Sequence, residues 1–261
     1  NGQVSTTDLE EAITEKTILI SLMYANNEIG TLNNIKELGS VAKKHNVLFH
    51  TDACQAACSQ NLNVNELGIN LMTLNGSKIY GPKGIGMLYV KKETPLTPLI
   101  HGGQQEFNLR SGTENVPGIV GFAKALELCQ KEEINKQLQE HFVETVQKTI
   151  PNIALNGHPT ERLPTIVNIT FQDTDTESLL LLLNEYGIYA SVGSACTANK
   201  EGMSHVLKAL GRSKEEAEST IRFSFGRFTT KEDVDFILEH LPELVKRVRE
   251  LKIKALQEVH S

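Results

Sequence analysis

Residues 16–55 read KTILISLMYANNEIGTLNNIKELGSVAKKHNVLFHTDACQ. Within them, 16–22 is a short apolar run of strand length. Residues 35–44 then carry Ile35, Leu38, Val41 and Ala42 at the spacing of one helix face, and 47–49 is a second buried-strand candidate. Residues 71–74 give a third, and 87–90 follow after a Gly-rich turn over 81–86. Repeated βα units of this kind predict an α/β fold, with a mostly parallel sheet flanked by helices. Such sheets bind their ligands just beyond the carboxyl ends of the strands.

Farther along, the stretch from Val116 to about residue 150 is helical in pattern and free of proline after Pro117, one or two long helices. Beyond Pro151 come a strand over 165–171, a leucine-rich helix over 177–186, and strands near 188–192 and 221–225. A last helix follows Thr230, which stands to Asp233 as in a capping box with Asp replacing the usual Glu or Gln. Leu241, Val245, Val248 and Leu251 give that helix a buried stripe. The boundary is expected near residue 130: 1–130 as part of the large domain, 131–261 as a smaller C-terminal α+β domain.

The composition narrows the function. A chain of 261 residues with 39% hydrophobic and 22% charged residues has enough apolar content for a real core. Lys and Arg total 26 against 32 Asp and Glu, a net charge of −6, which argues against a nucleic-acid or anionic-membrane surface. The longest aliphatic run, 179–183, is far short of the ~20 residues of a membrane span. Four cysteines in a chain this long suggest free thiols in a reducing cytoplasm, and the spacing of Cys54 and Cys58 fits neither a redox CxxC pair nor a zinc site. The chain opens on Asn1 and a polar stretch, and reads as a fragment or processed product.

Several short stretches carry chemistry. In His50-Thr51-Asp52-Ala53-Cys54-Gln55, Asp52 ends a buried strand; it is either a helix N-cap or a carboxylate paired with a cationic ring nitrogen. In Asn75-Gly76-Ser77-Lys78-Ile79-Tyr80-Gly81-Pro82-Lys83-Gly84, Lys78 lies between a strand end and a Gly-rich turn, as a solvated surface lysine or a reactive amine. The spacing of Gly81, Gly84 and Gly86 is weak support for a phosphate loop and lacks the Walker lysine pattern. Arg110-Ser111-Gly112-Thr113 sets small donors beside an arginine. Cys196 follows Gly193-Ser194-Ala195; it is either inert filler or a thiol that small neighbours leave open to substrate. Arg222 sits in an apolar strand, where a guanidinium needs an anion such as a substrate carboxylate.

Taken in order, Asn26-Asn27-Glu28-Ile29-Gly30, the Asp52 and Lys78 stretches, Arg110-Ser111-Gly112-Thr113, Gly193-Ser194-Ala195-Cys196 and Arg222-Phe223-Ser224 resemble the NifS-like cysteine desulfurases. The resemblance runs from about residue 4 to 230. It implies a fold-type I enzyme dependent on pyridoxal 5′-phosphate (PLP). Lys78 is then the lysine that carries PLP, Asp52 the partner of its ring nitrogen, and Gln55 the partner of its phenolic oxygen. Asn27 lies near that oxygen and the substrate, and Arg222 clamps the substrate carboxylate. Thr113 resembles a phosphate contact given by the neighbouring subunit of a homodimer. Cys196 is the nucleophile that takes sulfur from L-cysteine, leaves L-alanine, and passes its persulfide to an acceptor such as an iron–sulfur scaffold or a tRNA-thiolation protein.

Two departures stand out. The family's usual Ser-Gly-His-Lys is Asn75-Gly76-Ser77-Lys78 here; Asn and Ser still donate hydrogen bonds, so phosphate binding is expected to be altered and not lost. The family's N-terminal segment, with a Gly/Thr phosphate loop and a histidine stacked on PLP, has no counterpart, so the sequence reads as N-terminally truncated. A selenocysteine lyase uses the same chemistry on selenium, and a pseudoenzyme of the same fold is the rival from another class. Against the pseudoenzyme stands the joint presence of Lys78, Asp52, Gln55, Cys196 and Arg222.

Overall fold

The computed structural model describes residues 1–130, 136–193 and 203–259. The chain forms two compact units, one of Val4–Ala25 and Asn33–Glu132, the other of Asn1–Gln3, Asn26–Leu32 and Glu133–Ser261.

The first unit holds α1 (Thr6–Ala12), β1 (Leu19–Met23), α2 (Ile35–Lys44), β2 (Leu48–Asp52), α3 (Val64–Leu67), β3 (Leu71–Asn75), β4 (Gly86–Val90) and α4 (Val116–Cys129). Asn34 caps α2 by accepting from Glu37 N, and Ile35, Leu38 and Ala42 are its buried stripe. The sheet runs β1-β2-β3-β4. β1, β2 and β3 pair in parallel, as the βα pattern predicts, whereas β4 is antiparallel to β3. The physical reason is the connection: residues 76–85 are too few for a crossover helix, and a short link permits only a hairpin. Gly76 N donates to Ile85 O (3.0 Å) at the base of that hairpin.

The second unit holds α5 (Lys136–Thr149), β5 (Ile153–Asn156), β6 (Ile166–Phe171), α6 (Thr176–Glu185), α7 (His205–Ala209), α8 (Lys214–Ala217), β7 (Thr220–Ser224) and α9 (Lys231–Val259). β5, β6 and β7 form an antiparallel sheet in that order, with every residue of β6 buried. Phe142, Phe171, Leu179, Phe223, Leu241 and Val245 belong to one apolar core, in which the Phe142 and Phe223 rings are 5.1 Å apart. Phe142→Ala should therefore destabilise this unit by ~3–5 kcal/mol, through lost burial and the cavity left behind. Urea unfolding of the variant beside the parent chain measures it, and a change under ~1 kcal/mol contradicts the assigned core.

Thr230 and Asp233 do form the reciprocal cap: Thr230 N donates to Asp233 Oδ2 (2.9 Å) and Asp233 N to Thr230 Oγ1 (3.2 Å). Leu251 lies off the buried stripe of α9, for it is 50% exposed. Residues 188–192 make no strand; Ser191 alone pairs, by a bridge to Arg222, between Gly187 and Gly193, both at positive φ. β5 is four residues long, too short for its alternation to register in the sequence. Among the described residues, no helix is long and apolar enough to cross a membrane, and no group of His, Cys, Asp and Glu could hold a metal ion.

Candidate active site

Asp52 is the last residue of β2, opposite Met23 of β1 and Thr73 of β3. It thus stands at the carboxyl end of the parallel strands, where α/β sheets bind ligands. Its backbone oxygen accepts from Tyr24 N (2.8 Å) and its Oδ1 from Cys54 N (2.9 Å). Oδ1 therefore closes a turn over 52–54; no helix follows directly for it to cap.

His50, two residues earlier and so on the same face of β2, is held at both ring nitrogens. Nδ1 meets Ser21 Oγ (2.8 Å) and Nε2 meets Thr73 Oγ1 (2.8 Å), a chain of contacts across three strands. Burial pushes its pKa below the usual histidine value, with the Asp52 charge pulling back more weakly. A neutral imidazole is therefore favoured, and protonation at low pH works against the fold: this stabilising share is present above the unfolded pKa and lost as pH falls through the folded one.

The Cys54 thiol is pushed up to about 12, first by burial, then by donating to the Asp52 carboxylate and feeling its charge; Lys78 pulls the other way. Asp52, Cys54 and Lys78 thus share one electrostatic neighbourhood. At pH 8 a thiol with pKa about 12 holds only ~10⁻⁴ of its molecules as thiolate, the reactive form. Iodoacetamide should modify Cys54 at least ~100-fold more slowly in the folded protein than in urea. Peptide mass spectrometry reads both rates, and equal rates would refute the shift.

Lys78 follows β3 by one turn of 3₁₀ helix, which Asn75 caps: Asn75 Oδ1 accepts from Ser77 N (2.9 Å) and Ser77 Oγ (2.8 Å). Gly76 is buried, and a Cβ there would lie 2.9 Å from Pro82 O. Gly81 N in turn donates to Gly76 O (2.9 Å). The turn is thus fixed by tight backbone contacts, which leave the Lys78 side chain exposed. The Gly-rich character of 76–86 serves this close approach of backbone to backbone. Gln55 is half-buried in the turn after Asp52, and Thr113 is exposed in the loop before α4. Beside Thr113, Ser111 Oγ donates to Ile100 O (3.1 Å) and Gly112 N to Gln105 Oε1 (3.1 Å).

The second unit brings Asn27 and Arg222 together. Asn26 Oδ1 accepts from Glu28 N (2.9 Å) and Ile29 N (3.0 Å), which folds 26–30 into a tight turn. Arg222 on β7 donates from Nη1 to Asn27 O (3.0 Å) and exchanges backbone bonds with Ser191 (2.8 and 3.1 Å). Cys196 lies outside the described residues. Sequence reasoning assigned no role to Glu28, although it is 1% exposed and accepts from Ser204 Oγ (2.6 Å). The available signal was a carboxylate set between apolar Ile29 and the asparagine pair.

The class-V aminotransferase family profile matches residues 1–237. A cysteine desulfurase IscS of Methanosarcina thermophila is 50% identical over 255 residues, which is 96% of this chain and 63% of that protein. Among solved structures, a NifS-like protein of Rickettsia africae superposes with a TM-score of 0.84 at 34% identity, covering 94% of this chain and 67% of that one. SspA in complex with cysteine follows with a TM-score of 0.75 at 38% identity, covering 88% and 65%. The chain spans less than two thirds of the length of the curated relatives it matches.

Proposed function

The chain belongs to the class-V aminotransferase family, and on that premise we propose that it works as a PLP-dependent cysteine desulfurase, converting L-cysteine to L-alanine with a persulfide formed on Cys196. The observation that carries this reading is the meeting of Asp52, Cys54 and Lys78 in one electrostatic neighbourhood at the carboxyl end of β2 and β3. That end belongs to a chain 50% identical to a cysteine desulfurase IscS.

The donor set fits PLP. Asp52 suits a protonated pyridine nitrogen, and Lys78 supplies an amine able to hold the cofactor covalently. Gln55 and Asn27 offer amide groups for the phenolic oxygen. Asn75, Ser77 and Thr113 are the phosphate contacts, Thr113 by donation to the second subunit of a homodimer. Since the Ser77 hydroxyl donates to Asn75 Oδ1, Asn75 Nδ2 is the better phosphate donor of that pair. When bound, PLP supplies an electron sink for the substrate's α-carbon.

The remaining work falls to the protein's own side chains. Arg222 has a planar fork of donors that matches the carboxylate of an amino acid. Cys196 must give up its proton first, since a free thiol titrates near ~8.5 and only the thiolate attacks. The thiolate forms a sulfur–sulfur bond with L-cysteine while the substrate's carbon–sulfur bond breaks. The electron pair stays on carbon, which takes a proton and leaves as alanine. The persulfide then passes to a sulfur acceptor, an iron–sulfur scaffold or a tRNA-thiolation protein, in the cytoplasm. In this reading residues 1–130 are part of the PLP-binding domain, and 131–261 are the smaller domain bearing Cys196.

The test is to incubate the purified protein with PLP, reduce with borohydride, map the adduct, and follow alanine formed from L-cysteine. A pyridoxyl mass on Lys78 with alanine production is expected. Neither adduct nor alanine would overturn the reading.

A further inference from the structure

Glu28 is a buried carboxylate that the proposed reaction does not use. It lies in the tight turn of residues 26–30, with its own N–H bound to Asn26 Oδ1 and its carbonyl accepting from Asn168 Nδ2 (3.2 Å). The turn is therefore anchored to the central strand of the β5-β6-β7 sheet. A carboxylate that is 1% exposed has lost nearly all its hydration, which is unfavourable unless protein donors replace water. Ser204 does so, with a short hydroxyl-to-carboxylate bond of 2.6 Å from a residue 176 positions away.

The same carboxylate meets a second part of the chain. A Cβ placed on Gly193 would lie 3.3 Å from Glu28 Oε2, closer than an ordinary contact, so a side chain at 193 would press on the carboxylate. Gly193 has φ +49, in the left-handed region that favours glycine. Gly193 and Ser204 flank residues 194–203, the stretch that contains Cys196. Ser204 also caps α7, accepting from Val206 N and Leu207 N, so the far side is tied to regular structure as well.

We infer that Glu28 is a positioning residue: its carboxylate sets the course of the chain at Gly193, before Cys196, and at Ser204, after it. This rests on the desulfurase reading for its purpose, though not for its geometry. Glu28 is distant in sequence from both anchor points and contributes no reacting atom. Its effect on the reaction acts through Cys196, whose thiolate must reach the sulfur of a bound substrate.

The test measures Cys196 itself, with no need of cofactor or turnover. Glu28→Ala, Glu28→Gln, Ser204→Ala and the parent protein are alkylated with iodoacetamide under native conditions, and the rates at Cys196 and Cys58 are read by peptide mass spectrometry. Glu28→Ala is expected to change the Cys196 rate at least fivefold with the Cys58 rate within twofold. Glu28→Gln keeps an acceptor for Ser204 and should restore the parent rate to within twofold. Ser204→Ala leaves the carboxylate in place and should give an intermediate change; it also serves if Glu28→Ala does not fold. In the PLP-loaded enzyme, Glu28→Ala should lower kcat for L-cysteine with KM within threefold. A Cys196 rate unchanged in folded Glu28→Ala and Ser204→Ala, or equal changes at Cys58, overturns the inference. If the parent protein makes no alanine while the alkylation pattern holds, the desulfurase reading fails and the positioning role stands.

Discussion

Lys78→Ala is expected to abolish the borohydride-reducible PLP adduct and to lower alanine formation from L-cysteine by on the order of 10³-fold or more, as removal of a covalent catalytic group does. The chain should stay folded, because the Lys78 side chain is exposed and its turn is held by Asn75, Gly76 and Gly81 through backbone and capping bonds. On the proposed reading no other lysine replaces it. Lys83 is also beyond β3, but it lies past the tight 76–81 turn, whereas Lys78 is the amine whose charge reaches Cys54 beside Asp52. The measurement is peptide mapping after reduction together with an alanine assay. A pyridoxyl mass at Lys83 in the variant, or unchanged alanine production, refutes the assignment. Lys78→Arg should fail in the same way, since a guanidinium keeps the charge but lacks a nucleophilic nitrogen.

The second large effect is expected at Cys196. Cys196→Ala should lower alanine formation from L-cysteine by on the order of 10³-fold or more, and no persulfide should be trapped by alkylation, while the pyridoxyl mass on Lys78 remains at the parent level. On the proposed reading, Lys78→Ala and Cys196→Ala thus separate two functions, holding the cofactor and accepting sulfur. Cys54 is no substitute nucleophile. Burial and the Asp52 carboxylate keep it a protonated thiol, with a pKa about 12, and Cys196→Ala should expose that incapacity. A persulfide found on Cys54 in the variant would contradict both assignments.

Much of the first unit was legible because its periods are clean. Ile35, Leu38 and Ala42 mark one helix face, and apolar runs ending in polar residues mark strands that stop at a site. What was not legible depended on chain length between strands and on distant partners. The antiparallel course of β4 follows from a link too short for a helix, which the apolar run at 87–90 does not itself encode. Residues 188–192 read as a strand because Ile188, Ala190 and Val192 alternate, yet the flanking glycines leave only Ser191 in register with Arg222. At the candidate site, Asp52 and Lys78 could be picked out since each sits at a strand end before a turn. Cys54 read only as a free thiol: its raised pKa arises from three-dimensional burial beside Asp52. Glu28 was in plain view, but its partner Ser204 is 176 positions away, and no local pattern joins the two.

The division of the chain has a practical consequence for dissection. Asn26–Leu32 belongs to the second unit although first-unit sequence lies on both sides of it, so neither unit is a single continuous piece of polypeptide. A clone beginning at residue 133 would carry all of α5 to α9 yet lack the carbonyl of Asn27 that takes Arg222 and the carbonyl of Glu28 that takes Asn168. Stripping a hydrogen-bond partner from a buried group such as Asn168 costs ~1–3 kcal/mol, a large share of the stability of so small a domain. A severed C-terminal half would therefore need Asn26–Leu32 grafted back, by fusion or as an added peptide, before its fold could be studied alone.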